Sequence, residues 1–189
     1  KDLIELFEFN SRKTLLSPLD LAESLKKGKE ALEGYFEAYK GSWNRHLLTE
    51  YSIRGVHLQV GDFELLLKGN LDKVEILNDR DVNVVDYKTG KRKSENKENY
   101  VRQLTFYKLL LNLDEKKKYV MKSGELDFIE ADDKGKQKKD VFDISDTQVE
   151  ELISLIKEKA QEIYTFSFWD KKCDEKDCEY CKLGKVLTK

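Results

Sequence analysis

Between residues 19 and 40 apolar side chains recur at helical spacing, at Leu21, Leu25, Leu32, Tyr35 and Phe36. That period predicts a helix despite Gly28 and Gly34. From Leu48 to Val60 the pattern changes to alternation, with Tyr51 and Ile53 and then Val56 and Leu58 on the apolar side, the mark of a strand. Gly61-Asp62 forms a turn, and a second strand runs from Phe63 to Leu67 and on through Gly69 to Ile76. After the polar turn Asn78–Asp81, a β-branched run from Val82 to Tyr87 predicts a third. Helical spacing returns from Glu98 to Leu113, through Val101, Leu104, Phe106 or Tyr107, Leu110 and Leu111. Two short strands follow at Tyr119–Met121 and Leu126–Ile129, then a hairpin turn at Asp132–Gly135 with its return over Asp140–Ile144. Ser145 or Asp146 can cap a closing helix to Tyr164, with Glu150 or Glu151 early in it. Helix, strand meander, helix, strands and a last helix make an α/β arrangement whose central strands present chemistry at one edge.

With 189 residues and no internal repeat or low-complexity linker, the expectation is one domain over 1–189, with residues 165–189 as a tail. A mean hydropathy of -0.68 leaves no window of eighteen apolar residues, so no membrane span is expected. No signal peptide is recognisable. The first residue is Lys1 and the only methionine is Met121, which points to a fragment of a longer protein. Net charge is -2, so the whole chain makes no case for a polyanion partner. Locally it is different: Asp86 to Arg102 carries six basic and three acidic residues, a net of +3. This run is either a solvated face or weak support for a phosphate backbone nearby.

The chemistry concentrates in Asn83-Val84-Val85-Asp86-Tyr87-Lys88-Thr89-Gly90. Strand residues alternate faces, so Asp86 and Lys88 project the same way from one strand end. Asp-x-Lys alone is uninformative, since it also begins at Asp114, Asp132, Asp170 and Asp174. Only Asp86 closes an apolar β-branched run and is followed by Thr-Gly. Asp72 and Asp86 flank a hairpin centred near Asp79, and if they sit opposite one another both carboxylates share a face with Lys88. Two carboxylates that close repel unless a cation lies between them. Mg²⁺ suits a few carboxylate oxygens completed by waters and phosphate, with the Tyr87 carbonyl as a further ligand. Lys88 would orient a water or neutralise charge in a transition state. The same residues also fit a plain exposed hairpin of solvated acids.

Three ordered blocks resemble a known family. Gly69-Asn70-Leu71-Asp72-Lys73-Val74, Val84-Val85-Asp86-Tyr87-Lys88-Thr89-Gly90-Lys91 and Gln103-Leu104-Thr105-Phe106-Tyr107 are similar to the motifs of the PD-(D/E)XK nuclease superfamily. The branch is the RecB/AddB-type module found at the C-terminus of superfamily 1 DNA helicases, which CRISPR-associated and phage recombination exonucleases share. The resemblance implies a restriction-endonuclease-like core, a mixed central sheet flanked by helices. It implies a Mg²⁺- or Mn²⁺-dependent (exo)deoxyribonuclease in DNA repair or recombination, with DNA and helicase domains as partners. It makes Asp72, Asp86 and Tyr87 the metal ligands, and Asp72, Asp86, Lys88, Gln103 and Tyr107 the catalytic set. Positions i and i+4 share a helix face, so Gln103 could hold a site carboxylate or water and Tyr107 a DNA phosphate. An amphipathic helix with Tyr107 in the core and Gln103 at its rim would show the same pattern. Active members usually carry a histidine ligand on a helix ahead of the first strand. Here the only histidines are His46, before that strand, and His57, inside it. The resemblance therefore leaves a second reading, a weak or inactive nuclease-like module that binds DNA or braces a helicase.

Cys173, Cys178 and Cys181 lie within nine residues. An odd, tight set reads as metal ligation rather than a disulfide framework, and a reducing, cytoplasmic setting follows as an expectation. Some family members staple their ends with a [4Fe-4S] cluster on one cysteine before the core and three after it. Cys173-x4-Cys178-x2-Cys181 supplies three, at a spacing unlike the commoner family pattern. Zinc on three thiolates and a fourth ligand, or free thiols, are the alternatives.

Overall fold

The computed structural model describes residues 2–92, 96–116, 118–169, 171, 173–175 and 177–187. The element order is α1 (Asp2–Ser11), α2 (Pro18–Tyr39), β1 (Leu47–Val60), β2 (Phe63–Ile76), β3 (Asp81–Lys88), α3 (Lys97–Leu113), β4 (Val120–Phe128), β5 (Lys138–Phe142), α4 (Asp146–Tyr164) and α5 (Glu179–Leu187). The five strands form one sheet in the order β1-β2-β3-β4-β5. Neighbours pair antiparallel except β3 and β4, which run parallel across the α3 crossover. This is the mixed sheet with flanking helices of an α/β restriction-endonuclease-like fold.

β3 lies at the centre, and five consecutive residues, Val82 to Asp86, are buried. Its side chains therefore serve two covered faces. Val82 and Val84 join the main core with Leu104, Leu109 and Leu110 of α3, behind which α4 packs. Gly69 of β2 lets α3 come close, because a Cβ there would stand 2.5 Å from Cδ1 of the buried Leu110. On the opposite face α2 reaches the sheet through Tyr35, whose ring meets that of Tyr87 edge-on at 6.3 Å. Ser17 caps α2, and Ser145 forms a capping box with Gln148 at the start of α4.

The helices and hairpins expected from periodicity occur, with differences at four places. Tyr119–Met121 and Leu126–Ile129 are not two strands but one, β4, which runs straight through Lys122-Ser123-Gly124-Glu125. That polar stretch is satisfied from the sides: Ser123 Oγ donates to Asn83 Oδ1 at 2.8 Å, and Lys139 Nζ donates to Glu125 Oε1 at 2.7 Å. β5 begins two residues before the expected Asp140 and ends at Phe142, leaving Ile144 to bury ahead of the cap. Ser145 is the cap, and its partner in the capping box is Gln148, which the sequence pattern does not single out. Lastly, α1 and α5 are helical where no period was read.

Candidate active site

The pairing Lys73↔Val85 and Val74↔Val84 keeps a constant sum of residue numbers, and extending it by one places Asp72 opposite Asp86. The observed pairs, Lys73↔Val85 to Ile76↔Val82, run in the even register that the sequence pattern requires. Asp72 ties the two strands beyond the last paired residues, its Oδ2 accepting from the Tyr87 N–H at 2.8 Å. The side chain of Asp86, 2% exposed, points toward α3. There its Oδ1 accepts from Gln103 Nε2 at 2.8 Å and from the Tyr107 hydroxyl at 2.9 Å. Gln103 and Tyr107 are one helical turn apart and joined at 2.7 Å, so α3 delivers both groups to one oxygen.

Lys88 closes the ring. Its Nζ lies 2.6 Å from Asp86 Oδ2 and donates to Gln103 Oε1 at 2.7 Å. It also sits 4.9 Å from the centre of the Tyr100 ring. The approach to Asp86 Oδ2 is an ion pair off the hydrogen-bonding direction, and that buried oxygen has no hydrogen-bond donor. Tyr107 is held protonated far above the usual tyrosine range, by burial first and then by the negative charge of Asp86. Its hydroxyl is therefore a donor to the carboxylate.

Two carboxylates at one strand end, the buried one with an oxygen met only by the Lys88 ammonium at 2.6 Å, are a donor set that fits a divalent cation. Mg²⁺ needs only one or two carboxylates when waters and phosphate complete its shell. Asp72, Asp86 and the Tyr87 carbonyl are the groups that could hold it. Among the described residues no histidine, cysteine or further acid joins Asp72 and Asp86 in a ligand set. His57 is exposed and pairs with Glu64 at 2.7 Å, and exposed His46 lies before β1.

The basic run beside the site is largely paired within the fold. Lys91 meets Asp133 at 2.7 Å, Arg92 meets Asp140 at 2.6 Å and Arg102 meets Glu98 at 3.2 Å. Lys93, Ser94 and Glu95 lie outside the described residues, as do Asp170, Lys172 and Lys176 of two further Asp-x-Lys tripeptides.

A second polar cluster, which sequence reasoning missed, lies behind the strand end. Fully buried Asp127 of β4 is the register partner of Tyr87. Its Oδ2 accepts from the Tyr35 hydroxyl at 2.5 Å and lies 2.8 Å from Lys139 Nζ. Burial and the Asp127 contact push the Tyr35 hydroxyl far up. Burial opposes the charge on Lys139, but Asp127 and Glu125 outweigh it and raise that ammonium above its ordinary range. Lys73 is raised likewise, because Glu75 and Tyr87 outweigh its burial. The available signal was an acid between Leu126 and Phe128, flanked by apolar residues on a strand.

The three cysteines converge. Their sulfurs all lie within 4.8 Å of one another, with Cys173 and Cys181 at 3.4 Å. Hydrogen bonds with Cys178 and Cys181 push the Cys173 thiol up to about 11. The Cys181 backbone N–H, with the neighbouring thiols, lowers Cys178. Such mutual dependence is that of thiols crowded around one point, and it suits a soft metal.

With this geometry established, the comparisons identify the class. The family model of the PD-(D/E)XK nuclease superfamily matches residues 4–186, and the chain belongs to that superfamily. Among solved structures it is similar to a provisionally assigned exonuclease from Eubacterium rectale, with a TM-score of 0.51 and 11% identity over 98% of this chain and 70% of that one. It is also similar to the protein SSO0001, with a TM-score of 0.49 and 18% identity over 90% of this chain and 70% of that one. No curated protein matches the sequence. The chain is thus a nuclease-like domain of a superfamily that acts with divalent metals. No helix among the described residues is long and apolar enough to cross a membrane.

Proposed function

We propose that this chain is a Mg²⁺- or Mn²⁺-dependent deoxyribonuclease, of the exonuclease type, working beside the helicase domains of a repair or recombination protein. The observation that carries the reading is the closed ring Asp86–Lys88–Gln103–Tyr107 with Asp72 in register beside it. Asp72, Asp86 and the Tyr87 carbonyl would hold the cation, which when bound supplies a Lewis acid and a water of lowered pKa. Gln103 and Tyr107 hold Asp86 through Oδ1, and its Oδ2, ion-paired with Lys88 at 2.6 Å, is the oxygen that would be shared with the ion. Gln103 also fixes the Lys88 ammonium, which then faces the attacking water and offsets charge building on the phosphate. Because these donors are locked before substrate arrives, little reorganisation is left to the reaction itself.

Labelled single- and double-stranded DNA with Mn²⁺ tests the reading. Wild type should cleave, and Asp86→Ala and Lys88→Ala should each lose at least about a hundredfold in rate, the scale of losing one preorganised charge-stabilising group. Equal residual cleavage by all three proteins would refute it. A second reading, a non-catalytic module that binds DNA or braces a helicase, is favoured by one observation: the absence of a third side-chain ligand beside Asp72 and Asp86 among the described residues. Calorimetry separates the two, since a decayed site would take up no Mn²⁺ that depends on Asp86.

For Cys173, Cys178 and Cys181 we infer a metal role, as three ligands of a [4Fe-4S] cluster or of Zn²⁺ in a reducing, cytoplasmic setting. The fourth ligand would come from elsewhere. Cys178→Ser should abolish the bound zinc or iron measured by elemental analysis of the purified protein.

A further inference from the structure

The nuclease reading uses the backbone of Tyr87 but not its ring, which lies on the other face of the sheet. There it borders a cavity of about 540 Å³ between the sheet and the loop joining α2 to β1. That volume lies inside the range of about 300–1,000 Å³ common to small-molecule sites. Three aromatic side chains line it, Tyr35, Trp43 and Tyr87, together with three cations, Lys40, Arg45 and Lys73. None of its ten lining residues is acidic, in a chain where acids outnumber bases 37 to 35.

The walls are set by the fold. Phe36 holds Trp43 with ring centroids 5.4 Å apart, and the Asn44 side chain accepts from the His46 N–H at 2.9 Å to shape the loop. Lys73 is only 6% exposed and lies 5.2 Å from the Tyr87 ring. Lys40 and Lys73 each have a carboxylate neighbour outside the wall, Glu37 and Glu75. Arg45 makes no hydrogen bond, ion pair or ring contact with the described residues and is the cation free for a ligand. Aromatic faces with cations and no acids match an unpaired nucleotide, whose base stacks and whose phosphate is neutralised.

Position along the strands gives the connection. Lys73 follows Asp72, and Tyr87 separates Asp86 from Lys88, so cavity and acidic site are opposite faces of the same strand end. We propose that the cavity receives one nucleotide of a single DNA strand, its base on Trp43 and Tyr87 and its phosphate on Arg45, while the adjoining stretch of the strand reaches Asp72 and Asp86. The proposal rests on the nuclease reading and names its substrate as single-stranded DNA, because a base must be unpaired to lay its face on an aromatic side chain of the cavity.

Fluorescence anisotropy with a short fluorescein-labelled oligothymidylate, in EDTA to stop cleavage, provides the test. Trp43→Ala should weaken binding about tenfold and Trp43→Phe should restore most of it, as expected for base stacking. Arg45→Ala should also reduce the slope of log affinity against log salt by about 0.7, the value for one phosphate of a single strand. Independently of any variant's folding, photocrosslinking wild type to an oligonucleotide carrying 5-iodouracil should give adducts on Trp43 or Tyr87. Asp86-dependent cleavage combined with unaltered binding by Trp43→Ala and Arg45→Ala, or with adducts only elsewhere, overturns the cavity and leaves the nuclease reading intact. Wild type that neither binds nor cleaves DNA overturns both.

Discussion

Asp86 has two oxygens with different tasks. Oδ1 takes both hydrogen bonds from α3, and Oδ2 is buried without a donor beside the Lys88 ammonium. Removing one donor to Oδ1 should be felt in stability as well as chemistry. Tyr107→Phe keeps the ring but deletes a bond to a buried charge, and chemical denaturation should show a loss of about 1.5–3 kcal/mol. The same variant should bind Mn²⁺ more weakly in calorimetry, since the carboxylate is freer to turn. Asp86 and Lys88 were legible from their place at the end of a β-branched run, and Asp72 from the spacing across one hairpin. The contact of Tyr107 with Asp86 was not, because periodicity places a helix face without saying which strand atom meets it.

At the scale of elements, two features bring the site groups together: the β2–β3 register and the close seating of α3. The seating depends on Gly69, over which Leu110 lies. Gly69→Ala should therefore overpack the core and lower the unfolding free energy by about 1–3 kcal/mol, with cleavage falling as α3 shifts. The start of α4 gives a contrasting case. Ser145→Ala removes the acceptor for the Gln148 N–H and should lower the melting temperature, at about 1 kcal/mol, without altering cleavage. Most helix and strand positions could be read from apolar spacing, because spacing reports which face is covered. β4 could not, since its middle residues are polar and are paired by Asn83 and Lys139 from neighbouring strands.

Across the whole molecule the sheet separates two unlike faces. One is an apolar core under α3 that presents the acids, and the other is a polar layer joined to α2 through Tyr35, Asp127 and Lys139. That polar layer should make the fold sensitive to alkali. The folded-state pKa values of Tyr35 and Lys139 lie above their ordinary values of 10.0 and 10.5. Their contribution is complete below those ordinary values and is lost as pH rises through the raised ones. Urea midpoints should therefore begin to fall above about pH 10. Asp127→Asn should lessen this decline, since it removes a carboxylate that helps raise both groups, while the burial of Tyr35 and the Glu125 contact of Lys139 remain.

Local sequence determined the nature of the chain: strand–turn–strand with Asp72 and Asp86 in even register, a following helix with Gln103 and Tyr107 on one side, and a clustered cysteine tail. These are short-range properties, carried by the two-residue period of strands and the 3.6-residue period of helices. Tertiary structure alone decided the rest. It turned Tyr107 inward onto Asp86, brought the three sulfurs together, and joined Tyr35 to Asp127 across 92 residues. Such pairings depend on how helices dock against the sheet, and docking is a property of the assembled surface rather than of any stretch of chain.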